Sequence, residues 1–294
     1  MVRFSSLALA LLLSFPAQSQ IFKITKEQLV QMTSAWQGDR FDDGRPKVPD
    51  EMLDKMHGLT VEEIWGPIPA KGYPNQYVDG WRILHPGKRL VGRAVTAQFM
   101  PMRPDLNELV ISELKTRGFV GGSHQWVIDQ LRPGDVLVAD LFGKKAGGTI
   151  VGDNLATAIY SATRQGKNGG LVVDGGIRDL QGIADIDMSL YFRHAHPSAI
   201  NSVTLTGYNI PVRIGAATVV PGDAVFGDRE GIYFVPPQFV KDILDRAEET
   251  HIHDEWTKDK FLKGRYKSSD LYPRPKDEAM KKEYETYKNE RMKK

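Results

Sequence analysis

Apolar positions recur every three or four residues in the early part of the chain and every second residue further on, and this change of period divides the sequence. Thr25 with Gln28 three residues later forms a capping box, and Leu29, Met32 and Trp36 follow at helical spacing, so an amphipathic helix starts here. Gln37 to Lys47 is polar and reads as a loop. A second helix is expected from Pro49, with Met52, Leu53 and Met56 on one face and Gly58 at its end. Thr60 and Glu63 make another capping box ahead of Ile64 and Trp65, and Pro67 and Pro69 are expected to stop that helix.

The period changes to two from Leu90 to Phe99, with Val91, Val95, Ala97 and Phe99 on one face. A helix around His124 to Leu131 leads into the turn Pro133-Gly134-Asp135, the apolar run Val136 to Ala139, and Asp140. Pro221-Gly222-Asp223, Ala224-Val225-Phe226 and Asp228 repeat that order, which shared turn chemistry explains without duplication of a longer unit. Between them, the glycine-rich run Gly143 to Asp153 reads as a loop. Asn154 to Gln165 then carries Leu155, Ala158, Ile159 and Ala162 at helical spacing, and Leu171-Val172-Val173 reads as a buried strand. A short helix to Ile186, strands near Leu190 to Phe192, Ser202 to Thr206, Val212 to Ile214 and Ile232 to Val235, and a charged helix from Gln238 complete the pattern.

Helix and strand alternate through the middle of the chain, so an α/β core is expected. The expected divisions are an N-terminal helical segment over residues 20–72, a core domain over 73–240, a helical arm over 241–272 and a charged tail over 273–294. From Pro273 onward there are 8 basic and 5 acidic residues and no Val, Ile or Leu, so the tail is expected as a solvated helix or disordered chain.

Candidate chemistry concentrates in Gly152 to Asp179, a loop, helix, strand and turn. Asp153 and Asp179 are hard oxygen ligands suited to Mg²⁺ or Mn²⁺, and Arg178 offers the planar fork that grips a carboxylate. The glycine-rich run ahead of the helix is where an anion meets free backbone N–H groups. It lacks the Gly-Lys-Ser/Thr of a nucleotide loop, and the charge of Asp153 would repel phosphate unless a cation stood between them. Two plainer readings stand beside this one: Asp153 as a helix cap, and Arg178 with Asp179 as a structural ion pair.

Composition narrows the classes. A net charge of +2 from 39 basic and 37 acidic residues provides no field that would make nucleic acid or an anionic membrane the main partner, so a small ligand is expected. Arg3, the apolar run Leu7 to Phe15 and the small residues before Gln20 read as a secretory signal peptide over residues 1–19, and export to the periplasm or beyond is expected. That run is too short to span a bilayer. The absence of cysteine excludes disulfides, thiolate zinc sites and a lipid-bearing cysteine. His194 and His196 are followed by Pro197, while His251 and His253 on a helix point roughly 200° apart, so neither pair reads as a zinc site.

At Gly152-Asp153-Asn154-Leu155 and Val172-Val173-Asp174-Gly175-Gly176-Ile177-Arg178-Asp179 the chain resembles a known family. This is the metal-dependent 4-hydroxy-4-methyl-2-oxoglutarate/4-carboxy-4-hydroxy-2-oxoadipate aldolases with their relatives, the regulators of ribonuclease activity A. Leu90 to Thr96, Arg132 to Val138, and Pro221 through Gly231 to Pro236 are similar to family segments in family order. The resemblance implies an αββα-sandwich core of the RraA-like, swivelling-domain-like type with added N- and C-terminal helices. It implies a homotrimer or a dimer of trimers with active sites between subunits. It also implies a class II lyase that releases pyruvate from a 4-hydroxy-2-oxo acid, with oxaloacetate decarboxylation as a related activity.

Carried over, Asp179 would bind the divalent metal and Asp153 would hold a metal-bound water. Arg178 would grip the pyruvyl carboxylate, and the backbone of Gly152 to Leu155 would complete the cradle. An acid from the neighbouring subunit's C-terminal helix is expected, with Glu255 or Asp254 the candidates by position. A non-catalytic binding protein on the same fold is the alternative. One departure stands out: the acid expected three positions after Asp179 is Gly182, and Asp185 is the next acid along. The leader and the added segments near Pro101 to Gly122 and beyond Gly264 are unlike a cytosolic catabolic aldolase and point to a different oxo- or sugar acid.

Overall fold

The computed structural model describes residues 22–164, 166–264 and 266–293, so the leader expected over residues 1–19 lies outside the described residues. The elements run α1 (Lys26–Met32), α2 (Asp50–Met56), α3 (Val61–Trp65), α4 (Pro67–Ala70), β1 (Tyr77–Val78), β2 (Arg82–Ile83), β3 (Leu90–Pro101), α5 (Pro104–Thr116), α6 (Ser123–Asp129), β4 (Asp135–Thr149), α7 (Asp153–Thr163), β5 (Gly170–Ile177), α8 (Leu180–Ile183), β6 (Ser189–Ala195), β7 (Val203–Tyr208), β8 (Val212–Ile214), β9 (Ala217–Val219), β10 (Ala224–Gly227), β11 (Ile232–Val235), α9 (Val240–Leu262), α10 (Ser268–Leu271) and α11 (Glu278–Arg291). Both capping boxes form. Thr25 N donates to Gln28 Oε1 at 2.8 Å, and Thr60 N donates to Glu63 Oε2 at 2.8 Å.

Strands β3 to β6 are parallel neighbours at the centre of a sheet whose order is β1-β11-β10-β3-β4-β5-β6-β2, with β7 paired to the far end of β3. Only Asp79 to Trp81 separate β1 from β2, yet the two lie at opposite ends of this path. Eight strands laid flat would span about 34 Å. Val78 to Arg82 reach about 14 Å at most. The sheet therefore curls until its two ends meet. Its inner face, including Ala94, Val136, Val138, Val172 and Phe234, closes on the β8–β9 hairpin through Val212, Ile214, Ala217 and Val219.

The outer face is covered twice. Val110, Trp126 and Ile159 from α5, α6 and α7 pack on Val95, Leu137 and Val173, while α2, α3 and α9 pack on Val91, Phe226 and Tyr233. Helices outside two facing arcs of one sheet give the αββα layering expected from the sequence. Cover on both faces explains why β3 is buried nearly throughout and not only at alternate positions, Arg93 and Thr96 included.

Several local expectations are corrected. Pro67 ends α3 but opens α4, because proline at a first helical position loses no hydrogen bond. The glycine-rich run is largely strand: β4 continues to Thr149, its register against β5 shifting between Asp140 and Lys144 and again between Lys144 and Thr149. Glycine permits such bulges while the chain stays paired. Helix α5 is an addition to the sequence reading. The tail is neither fully solvated nor disordered: α11 lays Tyr284 against Ile252, Trp256 and Leu271, and Lys288–Glu249 (2.6 Å) and Arg291–Glu255 (2.7 Å) tie it to α9.

The repeated Pro-Gly-Asp units share one piece of turn chemistry. Asp135 accepts from Arg132 N at 2.9 Å and Asp223 from Val220 N at 2.8 Å, each closing its own turn. Asp135 is then neutralised by the buried Arg45, which sits between it and Asp43 at 2.9 and 3.0 Å. Asp223 has no such partner among the described residues, and burial pushes its pKa up to about 7 against the opposing pull of the Val220 N–H. Its folded pKa lies above its unfolded one, so its contribution is present in acid and is lost as pH rises through about 7. Asp223→Asn is expected to flatten this decline, measured as the difference between melting temperatures at about pH 5 and about pH 8.

Candidate active site

The segment between β4 and α7 runs beside the end of β5. Ile150 N donates to Gly176 O at 3.2 Å and Arg178 N donates to Val151 O at 3.1 Å. This pairing brings Gly152, the N-cap of α7, against the turn that follows β5. A Cβ on Gly152 would stand 2.2 Å from Asp179 Oδ2 and 3.0 Å from Arg178 Nε, so any larger residue would push those two side chains aside. Gly182, in α8, makes a similar approach from the other side: a Cβ there would meet Asp153 Cβ at 3.0 Å and its Oδ2 at 3.1 Å. Asp153, Arg178 and Asp179 thus gather around two glycines at the head of α7.

Their local roles separate ligand chemistry from structure. Asp153 Oδ1 accepts the Asn154 N–H at 2.7 Å, so the capping reading is partly right, and a carboxylate in the first turn also complements the helix dipole. The Ala156 N–H goes to the Gly152 carbonyl. Of the cradle expected from the backbone, the Asn154 amide is thereby engaged. Among the described residues the amides of Asp153 and Leu155 make no hydrogen bond to another element. Leu155 turns its side chain toward the helical core and contributes to the site by its backbone alone.

Arg178 Nε and Asp179 Oδ2 do form an ion pair, at 3.3 Å, with side chains 40% and 44% exposed. Exposed pairs contribute little, about 0–1 kcal/mol, so stability does not account for this one. Asp179 also adopts the left-handed conformation (φ 57°, ψ 41°) at the N-cap of α8 without making a side-chain cap bond. The left-handed conformation of Asp179 is therefore not accounted for by a side-chain cap bond of its own.

A supporting shelf underlies the glycine-rich end of β4. Gly147 N donates to Ser198 Oγ at 2.7 Å, the Thr149 hydroxyl donates to the Ser198 carbonyl, and Ser198 donates to His196 Nδ1. The sequence offered no periodic signal for Ser198. The histidine pairs take other roles, with His196 on this shelf, His251 bonded to Glu63 at 2.6 Å and His253 edge-on to Tyr284. Among the described residues no group of three or more His, Cys, Asp or Glu side chains is arranged to hold a metal ion. Asp153 and Asp179 supply two carboxylates here, and Gly182, which adds no side chain, closes against Asp153. This donor set fits a hard, largely hydrated cation, which needs only one or two carboxylates from a protein. Glu255 is engaged by Arg291 of its own chain, and Asp254 lies 3.6 Å from Lys258.

The curled α/β sheet thus places two carboxylates and a guanidinium at the N-terminus of α7. The chain belongs to the RraA-like family (Aldolase/RraA), whose model matches residues 69–234. Among curated relatives, a protein of Halalkalibacterium halodurans is 26% identical over 152 residues, 51% of this chain and 70% of its own. One of Azotobacter vinelandii is 36% identical over 114 residues, 39% of this chain and 67% of its own. Both carry the provisional name 4-hydroxy-4-methyl-2-oxoglutarate aldolase. Streptomyces coelicolor RraAS2, described as an unusual member of the RNase ES inhibitor RraA family, shares the fold with a TM-score of 0.60 at 24% identity. The match covers 74% of this chain and all of that one.

Gly152→Ala is expected to displace Asp179 and Arg178 together. Turnover should fall roughly 10²-fold, because misplacement by about 1 Å is enough to lose that much. Steady-state kinetics beside a melting curve will check this, with the melting temperature little changed.

Proposed function

We propose that the protein is an exported carbon-carbon lyase that releases pyruvate from a small 4-hydroxy-2-oxo acid, with decarboxylation of oxaloacetate as a related activity. The observation that carries this reading is the gathering of Asp153, Arg178 and Asp179 at the head of α7, in a chain with relatives provisionally named as aldolases. Arg178 binds the substrate carboxylate through its planar fork. The Asp153 and Leu155 amides add donors at the positive end of the helix. Asp153 takes the proton of the 4-hydroxyl as the C3–C4 bond breaks. The bonding pair passes to the C2 carbonyl, giving the enolate of pyruvate, and the proton returns to C3. A divalent cation, Mg²⁺ or Mn²⁺, would be held by Asp179 and Asp153 and would supply Lewis-acid stabilisation of that enolate.

A homotrimer or dimer of trimers is part of the same proposal, with Glu255 of a neighbouring copy as a further ligand once its bond to Arg291 is exchanged. Among the described residues no helix is long and apolar enough to cross a membrane.

Pyruvate release from a panel of 4-hydroxy-2-oxo acids and from oxaloacetate tests the reading. Release that stops with a chelator and returns with Mg²⁺ or Mn²⁺ is the expected result. No release from any member of the panel, with the metal present, would leave the binding-protein alternative in its place.

A further inference from the structure

A cavity of about 280 Å³ opens at the other end of α7 from Asp153. The length of that helix, about 16 Å, separates the two places. Lys88, Arg89, Arg164, Lys167, His57 and Asn168 line it. The single carboxylate in the lining, Asp187, is paired with Lys88. Arg89, Arg164 and Lys167 have no ion-pair partner among the described residues, and Arg164 only stands over the Tyr160 ring, 5.8 Å from its centre. One wall of the space therefore carries three cations without an ion-pair partner among the described residues, with the Asp54 carboxylate lying behind it on Asn168.

A solvated basic surface is the plain alternative, and the C-terminal end of α7 would by itself attract one cation, Arg164. Two features go beyond that. First, Asn168 is 4% exposed and is fixed at both ends of its amide: Nδ2 donates to Asp54 Oδ1 at 2.8 Å, and Oδ1 accepts from His57 Nε2 at 2.9 Å. An acceptor at that position sets the His57 tautomer with its proton on Nε2, so the imidazole is oriented by a buried group and not by solvent. Second, the chain is drawn tightly together here. Gly169 adopts φ 103°, and a Cβ on it would lie 2.7 Å from the Thr163 carbonyl, so the end of α7 and the approach to β5 meet as bare backbone. Burial holds the His57 pKa below the usual histidine range, with the Asn168 hydrogen bond and the Asp54 charge opposing it and the charges of Lys167 and Arg89 adding to it.

We propose that this cavity binds a small, multiply charged oxyanion, a phosphate-bearing or polycarboxylate molecule of about pyrophosphate or citrate size, at a site separate from Asp153, Arg178 and Asp179. Cations from two distant parts of the chain, Lys88 and Arg89 ahead of β3 and Arg164 and Lys167 after α7, converge on it. A multiply charged ligand engages both groups at once, whereas a single carboxylate reaches only one.

Calorimetric titration of the full chain with inorganic pyrophosphate and, separately, with citrate in metal-free buffer tests this. Saturable binding of either is expected, and the stronger of the two identifies the ligand class. Lys167→Glu combined with Arg164→Glu should weaken it by roughly tenfold or more through charge reversal at close range. Arg178→Ala should leave it unchanged. Both substituted positions are exposed, and matching melting curves will confirm that the fold is kept; Lys167→Ala alone provides a milder variant with a smaller loss in the same direction. The proposal is overturned if neither anion binds, if charge reversal leaves the affinity unchanged, or if binding disappears with Arg178→Ala.

Discussion

Asp179→Asn is expected to abolish metal-dependent pyruvate release, lowering kcat/KM on the order of 10³-fold while the melting temperature stays near that of the parent protein. The asymmetry between activity and stability follows from the geometry. The Asp179 side chain caps nothing, its bond to Arg178 is exposed, and its backbone is in the left-handed region, which asparagine adopts as readily as aspartate. Asn keeps the shape and removes the charge. Asp179→Ala should lose the same activity and in addition about 1–2 kcal/mol of stability, because alanine is strained at positive φ. Kinetics with metal titration, beside thermal melting, distinguish the two. A variant Asn enzyme retaining full activity would remove Asp179 from the site.

Arg45→Met should have a comparably large effect on stability instead. Arg45 is fully buried and braces Asp43 and Asp135, while the Phe41 ring lies 4.7 Å from its guanidinium carbon. Removing it strands the Asp135 carboxylate at the base of β4 without a cation, and breaking a buried pair in this way costs about 3–5 kcal/mol. Adding Asp135→Asn should recover much of that loss, since the amide oxygen still closes the turn with Arg132 N and no charge remains buried. Urea denaturation of the single and double variants gives the comparison. A loss below about 1 kcal/mol for the single change would show that the brace is not needed.

The candidate site was legible in the sequence because it is local. Gly152 and Asp179 bracket one helix and one strand, and in an α/β unit the end of the strand and the start of the adjoining helix face the same side of the sheet. The glycines carried the signal for close approach, although only the structure shows what each one approaches. Gly182 read from the sequence as a missing acid. In the structure it is a tight contact with Asp153, so an acidic side chain there would have to share space with that carboxylate.

What the sequence concealed was either short or distant. Strands β1 and β2 have two residues each, too few for any period to register. The second half of β4 reads as loop because its glycines report flexibility and not pairing. Arg45 looks like one more charge in a polar loop, and its partner Asp135 lies 90 residues away. The Tyr284 contact that docks the tail is likewise invisible in a segment with no aliphatic Val, Ile or Leu, because two tyrosines, Tyr284 and Tyr287, with Met280 and three ion pairs do the anchoring.

The curl of the sheet has a consequence for the order in which the chain assembles. β4, α7, β5, α8 and β6 are consecutive, and their contacts can form as soon as that stretch exists. The arc that completes the sheet is different: β10 pairs with β3 and β11 with β1, joining segments more than a hundred residues apart. Contacts at such separation form slowly, because the intervening chain must be ordered first. Until they do, the inner face around Val136, Val138 and Val172 is uncovered, since the β8–β9 hairpin that seals it is also synthesised late. The half-closed sheet is therefore the stage most exposed to aggregation.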